Sequence, residues 1–314
     1  METKERYFWV DNIRGILIFL VVFGHGLEFS WSTSTVSRFL YILVYLVHMP
    51  VFITISGYLS KNVEKGRKRA FSTYFIPFIT FNIFWSIGRF LPSYLSNPQA
   101  IETYELFTPG WALWFLLAMF FWKLILPDLV RVKNILLITL IIGTLSGLFS
   151  EYTDYLSLAK FFGFTPYFIA GYFITDKHVE MIRSVSKKYS LMILVTVLVF
   201  ASMFLYFEFP VQFLWLDRPY RELTDNMQLA LVLSVIQYFI GFLGAFLFIN
   251  LSRNKASKVT DIGSKTLPIY MLHTYLLSPF ILLKDSPLNE FIKLGLIIFS
   301  TILIVLLLSS QFVG

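Results

Sequence analysis

The sequence predicts an all-α membrane protein with about ten transmembrane helices and a cytoplasmic N-terminus. Three observations carry that prediction. Of 314 residues, 57 % are hydrophobic and 14 % charged, where a soluble domain has about 25 % charged residues. The mean hydropathy is +0.70, and 35 Phe, 17 Tyr and 7 Trp supply more apolar surface than a core of this size can hide from water. Apolar stretches close to the length of a bilayer crossing recur along the whole chain, which is read as a single integral-membrane domain over 1–314.

The first stretch follows Lys4 and Arg6 as a secretory signal would, but Arg14, His25 and Glu28 interrupt it and no small-residue cleavage site follows. It is expected to be a retained helix. The ten expected spans are 13–30, 38–59, 70–91, 111–130, 134–150, 158–175, 189–207, 227–250, 265–284 and 292–313. Between them, 92–110 and 208–226 read as the long water-facing loops, the first marked by Pro98 and Pro109. Gly143 and Gly147 form a small-xxx-small pair suited to close helix packing. After the last span no basic tail follows, and the expectation is a C-terminus shortened at Gly314.

Orientation follows from the basic residues, which are retained on the cytoplasmic face. Sixteen lie on one side: Lys4, Arg6, Lys61, Lys65, Arg67, Lys68, Arg69, Arg131, Lys133, Lys177, Arg183, Lys187, Lys188, Arg253, Lys255 and Lys258. Seven lie on or near the other: Arg38, Arg89, Lys160, Arg218, Arg221, Lys284 and Lys293. The same distribution explains the net charge of +7 better than nucleic-acid binding does, and no nucleic-acid partner is expected. With no cysteine in the chain, thiol nucleophiles, disulfides and thiolate metal sites are excluded.

Ionisable groups inside spans are costly and mark functional candidates. Of four histidines, His178 falls in a basic loop and is read as solvated. His25, His48 and His273 are expected near mid-bilayer on three different helices, as a proton or acyl relay, a metal site, or separate packing contacts. Arg14 and His25 are eleven residues apart, so they share a helix face about 16 Å apart along the axis. Arg14 then either anchors the helix end or holds phosphates of a cytoplasmic cofactor. Glu28, three residues after His25, is placed to fix the imidazole tautomer, and Gly24 and Gly26 remove bulk beside it. Lys123 and the Arg67–Arg69 run are further candidates for cofactor phosphates, with snorkelling and lipid contact as the alternatives. Trp111 and Trp114 sit where aromatic belts form.

The first helix reads DNIRGILIFLVVFGHGLEF and the second ends HMPVFITISGY, bringing His48, Met49, Pro50, Phe52, Ser56, Gly57 and Tyr58. WALWFLLAMF follows with Leu113 to Leu116, then FTPYFIAGYF with Gly171 and Tyr172, then IGSKTLPIYMLH with Thr266, Leu267, Tyr270 and His273. Together and in this order, these segments resemble the integral-membrane acyltransferase-3 family, particularly its fucose 4-O-acetylase-like and surface-polysaccharide O-acetyltransferase members. The loop RKRAFS departs from the family's Arg-x-x-Arg pattern.

The resemblance implies transfer of an acetyl group from acetyl-CoA to a hydroxyl of a cell-surface glycan at the cell membrane; no tightly bound cofactor and no metal are expected. It implies His25 as the essential catalytic histidine and Arg14 as an aid to acyl-CoA binding. Glu28, His48 and His273 join the expected catalytic group; Arg14, Arg67, Arg69 and Lys123 the donor site; and Trp111, Trp114, Tyr58 and Tyr270 the acceptor site. The expected partners are acetyl-CoA, a glycan acceptor, the bilayer and separate glycan-synthesis machinery. Two rival readings use the same histidines: a proton-coupled exporter and a zinc site.

Overall fold

A computed structural model describes residues 7–96, 107–149 and 155–310, and every regular element among them is helical. The expected positions Lys4, Arg6 and Pro98, and the proposed C-terminal end at Gly314, lie outside the described residues.

Helix α1 (Phe8–Leu27) is followed by α2 (Thr35–Tyr58), capped by the Ser34 side chain accepting from the Ser37 amide. The next crossing is compound: α3 (Val63–Ala70) widens through a π-helical turn at Phe71–Phe75 into α4 (Ile76–Ser96). A short 3-10 turn at Trp111–Leu113 leads into α5 (Trp114–Leu129), then α6 (Ile135–Ser146) and α7 (Leu158–Phe173). Beyond these come α8 (Asp176–Ser184), α9 (Lys187–Tyr206), the short α10 (Tyr220–Leu223) and the long α11 (Met227–Leu251). The chain closes with α12 (Lys258–Ser264), α13 (Thr266–Leu277), which runs on as a 3-10 segment to Leu283, and α14 (Glu290–Leu308).

Among the described residues, eight helices are long and apolar enough to span a bilayer. The expected ten are recovered as these eight plus α6 and α7, whose 12 and 16 residues are short for a crossing. The end of α6 is fixed by a tertiary contact. The loop carbonyl of Gly147 accepts from the Tyr220 amide, and the Tyr220 hydroxyl donates to the Thr144 carbonyl, so the end of α6 is held by the 208–226 segment. Two amphipathic helices, α8 and α12, appear where only loops were expected. Both open with capping boxes, at Thr175 and Ser257. His178 is part of the first, its Nδ1 accepting from the Thr175 amide at 3.1 Å; it is exposed, as its reading as solvated expects, but sits on a helix and not in a loop.

The centre is α1 and α2, each packed on several neighbours. Close approach of α2 and α7 depends on two glycines facing each other's backbones. A Cβ on Gly57 would strike the Phe168 carbonyl, and one on Gly171 the Thr54 carbonyl. Small residues of this kind are what drives association where lipid competes with side chains for apolar contact. The core between these helices is aromatic: Trp122 stacks on Phe168 at 5.1 Å and donates its indole N–H to Thr165 at 2.9 Å. Outward faces are apolar as well, from Leu191 and Met192 on α9 to Phe291, Phe299 and Leu306 on α14, as lipid contact requires.

Candidate active site

The first helix positions its histidine differently from expectation. Because α1 begins at Phe8 and ends at Leu27, His25 lies in its last turn, about 25 Å from the start, and not at mid-span. There it lines a cavity of about 260 Å³ walled by α2, the Trp111 turn, the first half of α7, the segment around Trp215 and α13.

Glu28 organises the cavity. Its Oε1 accepts from His25 Nδ1 at 2.9 Å and from the Tyr45 hydroxyl at 2.5 Å, while Oε2 accepts from the Trp111 indole at 2.8 Å. Three donors around one carboxylate fix its orientation. Since a carboxylate only accepts, Nδ1 of His25 carries the hydrogen and Nε2 is the nitrogen available to a substrate, an assignment made from the hydrogen bond. Gly24 and Gly26 make this packing possible. A Cβ on the first would crowd the Tyr45 ring at 3.1 Å, and one on the second would crowd Ile297 of α14 at 2.9 Å.

Trp111 reaches Glu28 from a strained backbone: its φ of 35° lies in the left-handed region that a bulky residue rarely adopts. The preceding chain is pinned to hold it there. Buried Asn82 of α4 accepts from the Gly110 amide at 2.7 Å and donates to the Thr108 carbonyl at 3.3 Å. The indole then packs edge-on against His25, with ring centroids 5.1 Å apart.

The other two histidines join this group. The His273 ring is 5.2 Å from that of His25, and His48 sits 4.8 Å from the Tyr45 ring and lines the same cavity. Both donate Nδ1–H to backbone carbonyls one turn earlier, His48 to Val44 at 2.8 Å and His273 to Tyr270 at 2.7 Å. His273 Nε2 is buried and makes no hydrogen bond. Among the described residues no three His, Asp or Glu side chains are grouped to hold a metal ion.

Of the aromatic candidates, Trp111, Trp114 and Tyr270 line the cavity, and the Tyr270 hydroxyl donates to the Ala112 carbonyl. Tyr58 does not. Ten residues beyond His48 on α2, its hydroxyl donates to Asp176 at the start of α8, and its ring packs 5.2 Å from Trp9. Arg14 lies toward that same end, donating to Thr266 Oγ1 at 2.6 Å and pairing with Asp11 at 3.3 Å, with Tyr74 of the wide turn within electrostatic reach. Helix α13 therefore meets α1 twice, with Thr266 at Arg14 and His273 at His25. Arg67 donates to the Leu124 carbonyl at 2.7 Å and pairs with Asp128. Lys123 donates to Ser60 at 2.6 Å, and Arg69 is exposed. None of these three reaches the cavity.

Sequence reasoning missed Tyr45, Lys160, Trp215 and Asp217, all of which line the cavity. Tyr45 was legible in principle, being three residues before His48 and so on the same face. Nothing local ties Lys160 to Asp217, 2.7 Å away across the fold.

Against known proteins, the chain matches a family model described as an acyltransferase domain over residues 7–310. No curated protein and no solved structure matches it significantly. The match covers every helix that builds the cavity, and the chain belongs to the acyltransferase-3 family, a multi-pass membrane acyltransferase.

Proposed function

We propose that the protein transfers an acetyl group from acetyl-CoA to a hydroxyl of a surface polysaccharide, with His25 as general base. The observation that carries this reading is the Glu28 carboxylate on His25 Nδ1 inside the cavity, the arrangement that orients an imidazole and stabilises the imidazolium formed when it takes a proton. As the acceptor oxygen attacks the thioester carbon, Nε2 takes its proton. The carbon–oxygen bond forms, the carbon–sulfur bond breaks, and the proton returns to the leaving thiolate.

In this reading the donor enters from the face rich in Lys and Arg, taken as cytoplasmic, and the acceptor from the opposite face of the cell membrane. Arg14 binds donor phosphates near the first face, aided by Arg67, Arg69 and Lys123 around α3 and α5. Arg14 is about 16 Å from His25 along α1, so the donor lies extended along the helix. His273 and His48 present their remaining ring nitrogens beside His25 and act as relay or positioning groups. Trp111, Trp114 and Tyr270 contact the acceptor, and Tyr58 contributes through Asp176 at the donor end. The acceptor polymer is supplied by separate glycan-synthesis machinery.

Membranes carrying wild type or His25→Ala, given labelled acetyl-CoA and the host's surface-glycan fraction, test this reading. The expected result is alkali-labile label on glycan with wild type and background with the variant. Equal background in both, with a folded protein and a competent acceptor, would favour the exporter reading.

A further inference from the structure

Away from the histidines, the far wall of the cavity holds an ion pair that the acyl-transfer chemistry does not use. Lys160, near the start of α7, pairs with Asp217 of the 208–226 segment at 2.7 Å through Oδ2, and both side chains are mostly buried, at 19 % and 13 % exposure. Oδ1 of Asp217 is buried and accepts no hydrogen bond, its nearest cation being the half-exposed Arg218, whose Nε stands 3.9 Å away, beyond hydrogen-bond reach. An ionised oxygen left so is costly in a finished site, and its lone pairs call for a donor that enters with a ligand.

Lys160 is poised in the same way. Its ammonium has three hydrogens to give, and it lies 5.5 Å above the ring of Trp114, a cavity-lining residue that also stacks on Phe164 at 5.1 Å. Trp215 also lines the cavity and donates its indole N–H to the Tyr41 hydroxyl at 2.6 Å, which occupies its one polar group. A donor and an acceptor side by side in a cavity also lined by two tryptophans match a compound with adjacent hydroxyls on an otherwise apolar ring.

We infer that Lys160 and Asp217 are specificity-determining residues that together bind two neighbouring hydroxyls of a polyhydroxy acceptor, with Lys160 donating to one oxygen and Asp217 Oδ1 accepting from the next. The inference rests on the acceptor reading proposed above and adds the residues that select the acceptor. Their wall is also coupled to the catalytic one. Tyr41, held by Trp215, stacks on Tyr45 at 4.0 Å, and Tyr45 donates to Glu28, so a sugar seated on the ion pair presses against the chain of contacts that orients His25.

The test is direct binding, read by quenching of intrinsic tryptophan fluorescence in detergent-solubilised protein. The probe is an oligosaccharide fraction cut from the host's surface glycan and freed of acetyl groups, compared with the same fraction after periodate cleavage of its vicinal diols. Wild type should saturate with the intact probe and not with the cleaved one. Asp217→Asn and Lys160→Met should each raise half-saturation by about tenfold or more, because a site built on paired polar groups loses most when one is removed. The exchanged pair, Lys160→Asp with Asp217→Lys, rebuilds the bridge and keeps the segment latched. It should stay defective, and recovery of wild-type binding by this variant would reduce the pair to a latch and overturn the inference. So would a wild type that does not bind the probe, or single variants that bind it unchanged. Binding with the expected losses but without acetyl transfer would instead sink the proposed activity and leave this assignment standing.

Discussion

Replacing Glu28 with glutamine preserves shape and removes charge, and the surrounding donors turn that change into a conflict. The carboxylate accepts from His25, Tyr45 and Trp111 at once, whereas an amide accepts only through its oxygen. With that oxygen toward Trp111, the NH2 faces His25 and forces Nδ1 to accept, moving the hydrogen to Nε2 and disabling the base. With it toward His25 and Tyr45, the NH2 meets the Trp111 indole N–H, donor against donor. Either orientation forfeits at least one charge-assisted bond, about 1.5–3 kcal/mol, and the imidazolium loses its counter-charge. Together these amount to about 3–5 kcal/mol of transition-state stabilisation, a fall of about 10²–10⁴ in rate. The assay is acetyl transfer at saturating donor and acceptor, with thermal unfolding of each preparation as the folding control. A well-folded Glu28→Gln protein that lost less than about fivefold in kcat, or that lost only KM, would refute the carboxylate's role in orienting His25.

Trp111→Phe keeps the ring against His25 but removes the indole donor to Glu28, and kcat should drop by about tenfold, the loss of one hydrogen bond to a charge; an unchanged kcat in steady-state transfer would contradict it. Arg14→Met should raise the acetyl-CoA KM by about 10- to 100-fold while leaving the acceptor KM nearly constant, measured by varying each substrate in turn; equal effects on both would place Arg14 in a structural role with Thr266. Gly57→Ala drives a methyl into the Phe168 carbonyl of α7, and overpacking of this kind should cost about 1–3 kcal/mol, seen as a lower unfolding temperature. A variant as stable as wild type would mean that α2 and α7 separate more easily than their backbone contact implies.

The fold class was open to reading from the sequence because lipid imposes long apolar helices and a biased distribution of cations, both properties of composition. Depth was harder. His25 was expected near mid-bilayer because hydropathy cannot fix where a helix starts, and the polar residues Asp11 and Asn12 hid the first turn of α1. Asn12 belongs to the helix because its amide donates to the carbonyls of Arg253 and Lys255, partners more than two hundred residues away. The amphipathic helices α8 and α12 are short and polar, so a search for apolar runs passes over them. Within the site, Arg14, His25 and Glu28 were legible because one helix relates them by fixed spacing. The Lys160–Asp217 pair was not, since it is formed by a tertiary approach between α7 and an irregular segment. Tyr58 shows the converse limit. It shares a helix with His48, yet ten residues carry it about 15 Å away to the opposite end.

In the proposed reaction an acetyl group enters at the Arg14 end of α1 and leaves at the His25 end, on opposite faces of the membrane. Sealed inside-out vesicles with the glycan fraction trapped in the lumen test it directly when labelled acetyl-CoA is supplied only outside. The expected result is alkali-labile label on lumenal glycan, lost with His25→Ala and absent from glycan added outside. Label confined to external glycan, or lumenal label that persists without His25, would contradict it.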